Sequence, residues 1–146
     1  MTGTRRGVGF AMVATLVALA GAAHGEGLQA GFWKVTSTPE VNGNPAPVQT
    51  NMRCMTPADV ADLDKTFSPQ TRMQNISCDR VEHEASATSL KWRFQCTGQL
   101  TMDVSGAFQF ETPQRYTAEV NTKASIGDQQ MNSRVKIEAE RVGECP

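Results

Sequence analysis

Leu90, Trp92, Phe94 and Cys96 stand at every second position, and Lys91, Arg93 and Gln95 fill the places between them. A period of two puts one set of side chains on a dry face and the other in water, which describes a β-strand buried on one side. The pattern returns along the chain. Leu100, Met102, Val104, Phe108 and Phe110 share one parity, as do Tyr116, Ala118 and Val120. Met131, Val135, Ile137 and Ala139 alternate with Arg134, Lys136, Glu138 and Glu140. Residues 31–38 put Trp33 and Val35 on one face and Phe32 and Lys34 on the other, and strands are also expected over 48–55 and 76–84. About seven half-apolar strands separated by short turns predict a mainly β domain. Such a sheet must curl or be covered to hide its apolar face. A strongly curved antiparallel meander or a small β-barrel meets that need, and a two-sheet sandwich is the alternative.

One stretch departs from this period. Thr56-Pro57-Ala58-Asp59 supplies an N-cap, a proline for the first helical position and an acid for the positive end of the dipole. Val60, Leu63 and Phe67 follow at helical spacing, so one short helix is expected over about 57–67, ended by Ser68-Pro69-Gln70. Gly106 falls inside the strand running from Leu100 to Phe110 and is expected to mark a bend.

The first 25 residues read differently. Arg5-Arg6 precede an apolar run from Val8 to Ala20, and Ala22-Ala23-His24-Gly25 offer small residues for cleavage. This is the pattern of a secretory signal peptide, and the run is short for a membrane span. Residues 1–25 are therefore expected to be removed and residues 26–146 to form one β domain in the periplasm, with no membrane span after cleavage. Without Arg5 and Arg6 the 14 basic residues fall to 12 against 15 acidic ones, a net of −3. A mildly acidic chain with mixed signs is a poor match for nucleic acid.

Cys54, Cys78, Cys96 and Cys145 all follow the signal segment. An even count in an oxidising compartment implies two disulfides. Of the three pairings, Cys54–Cys78 with Cys96–Cys145 is favoured here. The first would close a local excursion around the helix, and the second would tie the central strand to the chain's end.

The order of these features is familiar. Gly-x-Trp-x-Val (Gly31, Trp33, Val35) is followed by Cys-x-Thr-Pro (Cys54, Thr56, Pro57). Then come Cys78, Trp-x-x-x-Cys (Trp92, Cys96) and a closing Gly-x-Cys (Gly143, Cys145). From Gly27 to Cys145 the chain resembles the exported Gram-negative family called domain of unknown function 3617. Thr112-Pro113-Gln114-Arg115-Tyr116 stands where that family usually has a Gly-Asp-x-Tyr turn. The resemblance implies periplasmic export and paired cysteines, and it brings no activity.

Residues able to carry chemistry are few. A nucleophile needs a base in reach, and the two histidines are His24, at the signal junction, and His83, between Glu82 and Glu84. The bland reading of His83 is a solvated face. Met52, Cys54 and Met55 look like soft ligands for copper(I), but only if Cys54 is free; packing is the preferred reading. Asp59, Asp62 and Asp64 point in different helical directions and do not make a calcium loop. The cysteines are too far apart in sequence for a dithiol redox pair. No metal site, cofactor or catalytic residue is assigned. Trp33, Trp92, Phe94, Phe108, Phe110 and Tyr116 either fill the core or line a cavity for a small apolar molecule. The sequence therefore predicts a non-enzymatic module that binds an envelope protein through its surface or sheet edge, with a carrier of an apolar ligand as the alternative.

Overall fold

The computed structural model describes Gly3, residues 27–69, 72, 73 and 75–146; the expected signal segment lies outside these residues apart from Gly3, as does His24. Strands β1 (Gly31–Val41), β2 (Asn44–Pro45) and β3 (Gln49–Met55) lead into helices α1 (Pro57–Ala61) and α2 (Leu63–Phe67). Then follow β4 (Arg72–Met73), β5 (Ile76–Ala85), β6 (Ser89–Gly98), β7 (Thr101–Thr112), β8 (Arg115–Ile126) and β9 (Gln129–Gly143). All nine belong to one antiparallel sheet that does not close. From β5 to β9 the chain is a meander, and β9 returns to pair with β1. On its other side β1 pairs with both β2 and β3. The expected curved antiparallel meander is the fold observed, open rather than barrel or sandwich.

Short turns set this order. Asn42 and Gly43 both take positive φ, 50° and 80°, the conformation a tight hairpin between β1 and β2 demands. The Ser86 hydroxyl accepts from the backbone N–H groups of Thr88 and Ser89 and so folds the β5–β6 connection.

The sheet is strongly curled, and α2 measures the curl. Six strand spacings separate β3 from β5, which in a flat sheet would be ~29 Å. Yet α2, a five-residue helix only ~7.5 Å long, touches both. Its Phe67 ring lies 6.0 Å under the Arg53 guanidinium of β3, and its Asp64 meets Arg80 of β5 at 3.1 Å. The helices therefore stand over the apolar face where the two edges of the sheet swing toward each other.

That face holds the core. Trp33, Leu90, Trp92, Phe94, Phe108, Phe110, Tyr116 and Ala139 are all buried with the inward parity the alternation assigned, and Leu28 is buried with them. On β3 it is Met55 that faces in, while Val48, Thr50, Met52 and Cys54, which alternate on the other parity, are exposed. Phe67 enters from above, 5.0 Å from both Phe108 and Tyr116 between ring centres. Three details differ from expectation. The helix is broken at Asp62 (φ −135°, ψ 79°), whose carboxylate caps α2 by accepting from Lys65 N–H. A short strand, β4, follows the helices where the alternation gave no strand. β7 runs unbroken through Gly106 with no register shift there, so the glycine marks no bulge. It is a place of close approach: a Cβ there would sit 2.5 Å from Cε2 and 2.9 Å from Cη2 of Trp92. Only a hydrogen leaves room for the indole.

The disulfide pairing is the main correction. The bonds are Cys54–Cys145 and Cys78–Cys96, not Cys54–Cys78 and Cys96–Cys145. Cys78 and Cys96 lie directly opposite each other on β5 and β6. Cys54 and Gly143 both face Phe32, from opposite sides of β1, so the two residues after Gly143 suffice to bring Cys145 across to Cys54. Two disulfides place the protein in an oxidising environment. Among the described residues no helix is long and apolar enough to cross a membrane.

Candidate functional site

The residues singled out as cavity lining are found packed together. Trp33, Trp92, Phe94, Phe108, Phe110 and Tyr116 are each at most 7% exposed. Trp33 lies 5.5 Å from Tyr116, and Trp92 lies 5.7 Å from Phe94 and 6.3 Å from Phe108, all between ring centres. Trp33 Nε1 donates to the Gln29 carbonyl at 3.1 Å, whereas Trp92 Nε1 is buried without a hydrogen-bond partner among the described residues. Burial pushes the Tyr116 phenol above its usual range. The hollows described on the surface lie elsewhere. One of about 370 Å³ is lined by residues such as Met102, Asp103, Lys123 and Ala124, and one of about 310 Å³ by Glu82, Arg93, Asp103 and Lys123. None of the six aromatic residues borders either.

The candidates for chemistry have structural partners. His83 Nε2 sits 3.3 Å from an Asp64 carboxylate oxygen, which also accepts from the Ser68 hydroxyl at 2.7 Å. Arg80 donates to the other oxygen at 3.1 Å. Burial pushes the Asp64 carboxyl up, but the hydrogen bonds from Ser68 and Arg80 and the cations beside it outweigh that and hold it below its usual value. Asp59 completes a capping box with Thr56, which lowers its carboxyl chiefly through the Thr56 backbone N–H. Of the three residues considered for copper(I), Cys54 is consumed in a disulfide, Met55 is fully buried and Met52 is half exposed. Among the described residues no group of three or more His, Cys, Asp or Glu is placed to hold a metal.

The solvent-facing side of the sheet is braced by ion pairs. Arg93 on β6 grips Asp103 on β7 with two nitrogens, at 2.9 and 2.6 Å, and reaches Glu82 on β5 at 3.2 Å. The hydrogen bonds from Arg93 hold the Asp103 carboxyl low, and those to Asp103 and Glu82 raise the guanidinium further. These groups are spent on one another.

What the fold leaves unspent is backbone at the edges of the open sheet. The two edges are unlike. β5 is guarded. Its first two residues are covered by β4, a register shift between Arg80 and Glu82 interrupts its pairing, and Asp79, Arg80, Glu82, His83 and Glu84 line it. Short cover, a bulge and charge are the usual means by which a sheet edge is kept from pairing with another chain. β3 carries none of these. It pairs with β1 without a register shift from Gln49 to Met55, six of its seven residues are exposed, and Arg53 is its one ionisable side chain. Among the described residues its other flank has no strand partner. Of the large apolar residues left exposed, Met52 lies on this strand and Val48 just before it. Sequence reasoning placed the strand but missed that it is an edge. The available signal was composition: Gln49-Thr50-Asn51-Met52 lacks the apolar alternation of the inner strands and follows Pro45 and Pro47.

Comparison with known proteins adds a family and nothing finer. Residues 28–145 match a family model described as a protein of unknown function, DUF3617. Neither the curated proteins nor the solved structures give a match.

Proposed function

The chain belongs to the DUF3617 family of proteins of unknown function, and from that premise we propose that it is an exported, non-enzymatic binding module that receives a protein partner's strand along β3. The observation that carries this reading is the contrast between a guarded β5 and a bare β3 on the same sheet. A strand laid against β3 would satisfy its outward N–H and C=O groups, and main-chain hydrogen bonds supply the affinity in this mode of recognition. The strand is held ready. The Cys54–Cys145 bond fixes one end of β3 to the end of the chain, so little ordering is left to be done on binding.

Export to the periplasm is supported by the signal-like residues 1–25 and by the disulfides. A binding role rather than catalysis is supported by the state of His83. The nearby hydroxyl of Ser68 donates to Asp64 and not to the imidazole, so His83 is not placed to take its proton. The apolar-carrier alternative is not pursued, because the six aromatic rings are packed on one another.

Photocrosslinking in living cells tests the proposal. A photoreactive amino acid is placed at Thr50 or Met52 on β3, and at Glu84 on β5 as a control. Protein adducts from β3 but not from β5 are expected. No adduct from β3, or equal yields from both edges, rejects it.

A further inference from the structure

Resting on the reading of β3 as a strand-acceptor, we infer that the strand it receives is β3 of a second copy of this chain, giving a closed two-fold dimer. On an edge strand only every second residue turns its N–H and C=O outward. Two antiparallel copies of β3 can therefore pair only residues of equal parity, which puts the two-fold axis through a residue. An axis through Asn51 pairs residues 49–53 and sets Arg53 opposite Gln49 of the second copy. An axis through Met52 pairs residues 49–55 and sets Arg53 opposite Asn51 of the second copy. Both registers keep the two guanidiniums apart, while an axis through Arg53 would bring them face to face.

Both registers are free of a charge clash and place like on like at the axis: Asn51 meets Asn51 across the first and Met52 meets Met52 across the second, while the single cation faces an amide in either. Thr50 and Met52 pair across to Thr36 and Lys34 of β1, on the wetter side of the sheet. There the half-exposed Met52 would gain an apolar neighbour at the axis.

Closure follows from the other edge. Once two β3 strands pair, what remains is the two-residue β2, which ends in Pro45, and the β5 side, which carries β4, the bulge and the charged run. An isologous contact that uses up the open edge stops at two copies, whereas a β3-to-β5 contact would run on as a filament.

Sedimentation of the purified exported chain across micromolar to millimolar concentrations tests this. A reversible monomer–dimer equilibrium with nothing larger is expected. Asn51→Lys places like charges opposite each other in both registers: the new ammonium faces its own counterpart across the first axis and Arg53 of the second copy across the other. It should weaken association about tenfold or more. Glu84→Lys on the guarded edge should leave it unchanged. Both sites are exposed, and circular dichroism checks that the variants fold. A monomer at every concentration, growth beyond dimers, or a dimer indifferent to Asn51→Lys overturns the inference. The two readings fail separately. Adducts from β3 to a different protein, with a monomer in sedimentation, would refute self-pairing and keep the strand-acceptor; no adduct of any kind would remove both.

Discussion

Gly106→Ala should destabilise the protein although alanine is ordinarily the safer residue in a strand. The added methyl meets Trp92 at Cζ2, Cε2 and Cη2, the last two at 2.5 and 2.9 Å before anything moves. The indole cannot simply retreat, because Trp92 is 4% exposed and lies against Phe94 and Phe108. Overpacking of this kind costs about 2–3 kcal/mol. Alanine also restricts the unfolded chain, which returns about 0.5–1 kcal/mol. The net loss is about 1–2.5 kcal/mol, seen as a fall in Tm of roughly 4–10 °C for a domain of this size. Urea unfolding followed by tryptophan fluorescence measures it. The cause is isolated by repeating the substitution with Trp92→Phe, where the smaller ring leaves room. In that background Gly106→Ala should cost at least about 1 kcal/mol less. An equal cost in both backgrounds would mean that the glycine serves the backbone and not the indole, and the reasoning would be wrong.

Three further outcomes are expected. Removing Cys54–Cys145 as a serine pair should cost more than removing Cys78–Cys96 in urea unfolding, because the sequence separations are 91 and 18 residues, worth about 4.6 and 3.2 kcal/mol in the chain-entropy account. Phe67→Ala should unseat α2 from Phe108 and Tyr116 while the sheet stays folded, a loss of about 2–3 kcal/mol felt locally; faster proteolysis within 56–68 with an unchanged β-type circular dichroism spectrum would show it. The folded-state pKa of Asp64 lies below its unfolded value, so its contribution is present above the ordinary carboxylate range and is lost as pH falls through the folded value. Asp64→Asn should therefore flatten the acid limb of stability measured between pH 5 and 2, with an effect kept small by the exposure of the pair.

The strands were readable because parity is a local property. Leu90, Trp92 and Phe94 declare their buried side whatever they pack against, and all three are buried. The Thr56 cap was readable for the same reason, since its partner Asp59 is three residues away. What sequence could not supply was set by neighbours distant along the chain. Gly106 reads as a bend until Trp92 is known to lie across it. The Cys54–Cys145 bond needs the knowledge that β1 is flanked by β3 and β9. The Cys78–Cys96 bond needs the bulge: the pairing next to the turn, Ala85 with Leu90, runs on to Cys78 opposite Thr97, and the shift between Arg80 and Glu82 moves it opposite Cys96. A pairing that closes the excursion around the helix leaves that hairpin out of account. The bare edge of β3 shows in sequence only as composition, the polar run Gln49-Thr50-Asn51 after Pro45 and Pro47, which does not say which neighbour is missing.

The two disulfides take on a sharper meaning once the edges are known. An inner strand is held by two neighbours, and an edge strand by one. Here each of the two long flanking strands carries one cysteine: Cys54 of β3 is bonded to the tail beyond β9, and Cys78 of β5 to β6. The covalent links thus fall on β3, which has β1 as its one neighbour, and on β5, whose outer flank β4 covers over two residues only. For β5 that completes an edge already made unattractive by charge and a bulge. For β3 it has the opposite consequence. A strand that frays offers a poor template, because a partner must first order it. A strand fixed by sulfur at one end and by an unbroken register to β1 along its length presents its outward groups at fixed spacing. The cross-link that protects the fold is therefore also what would make its one unguarded edge fit to bind.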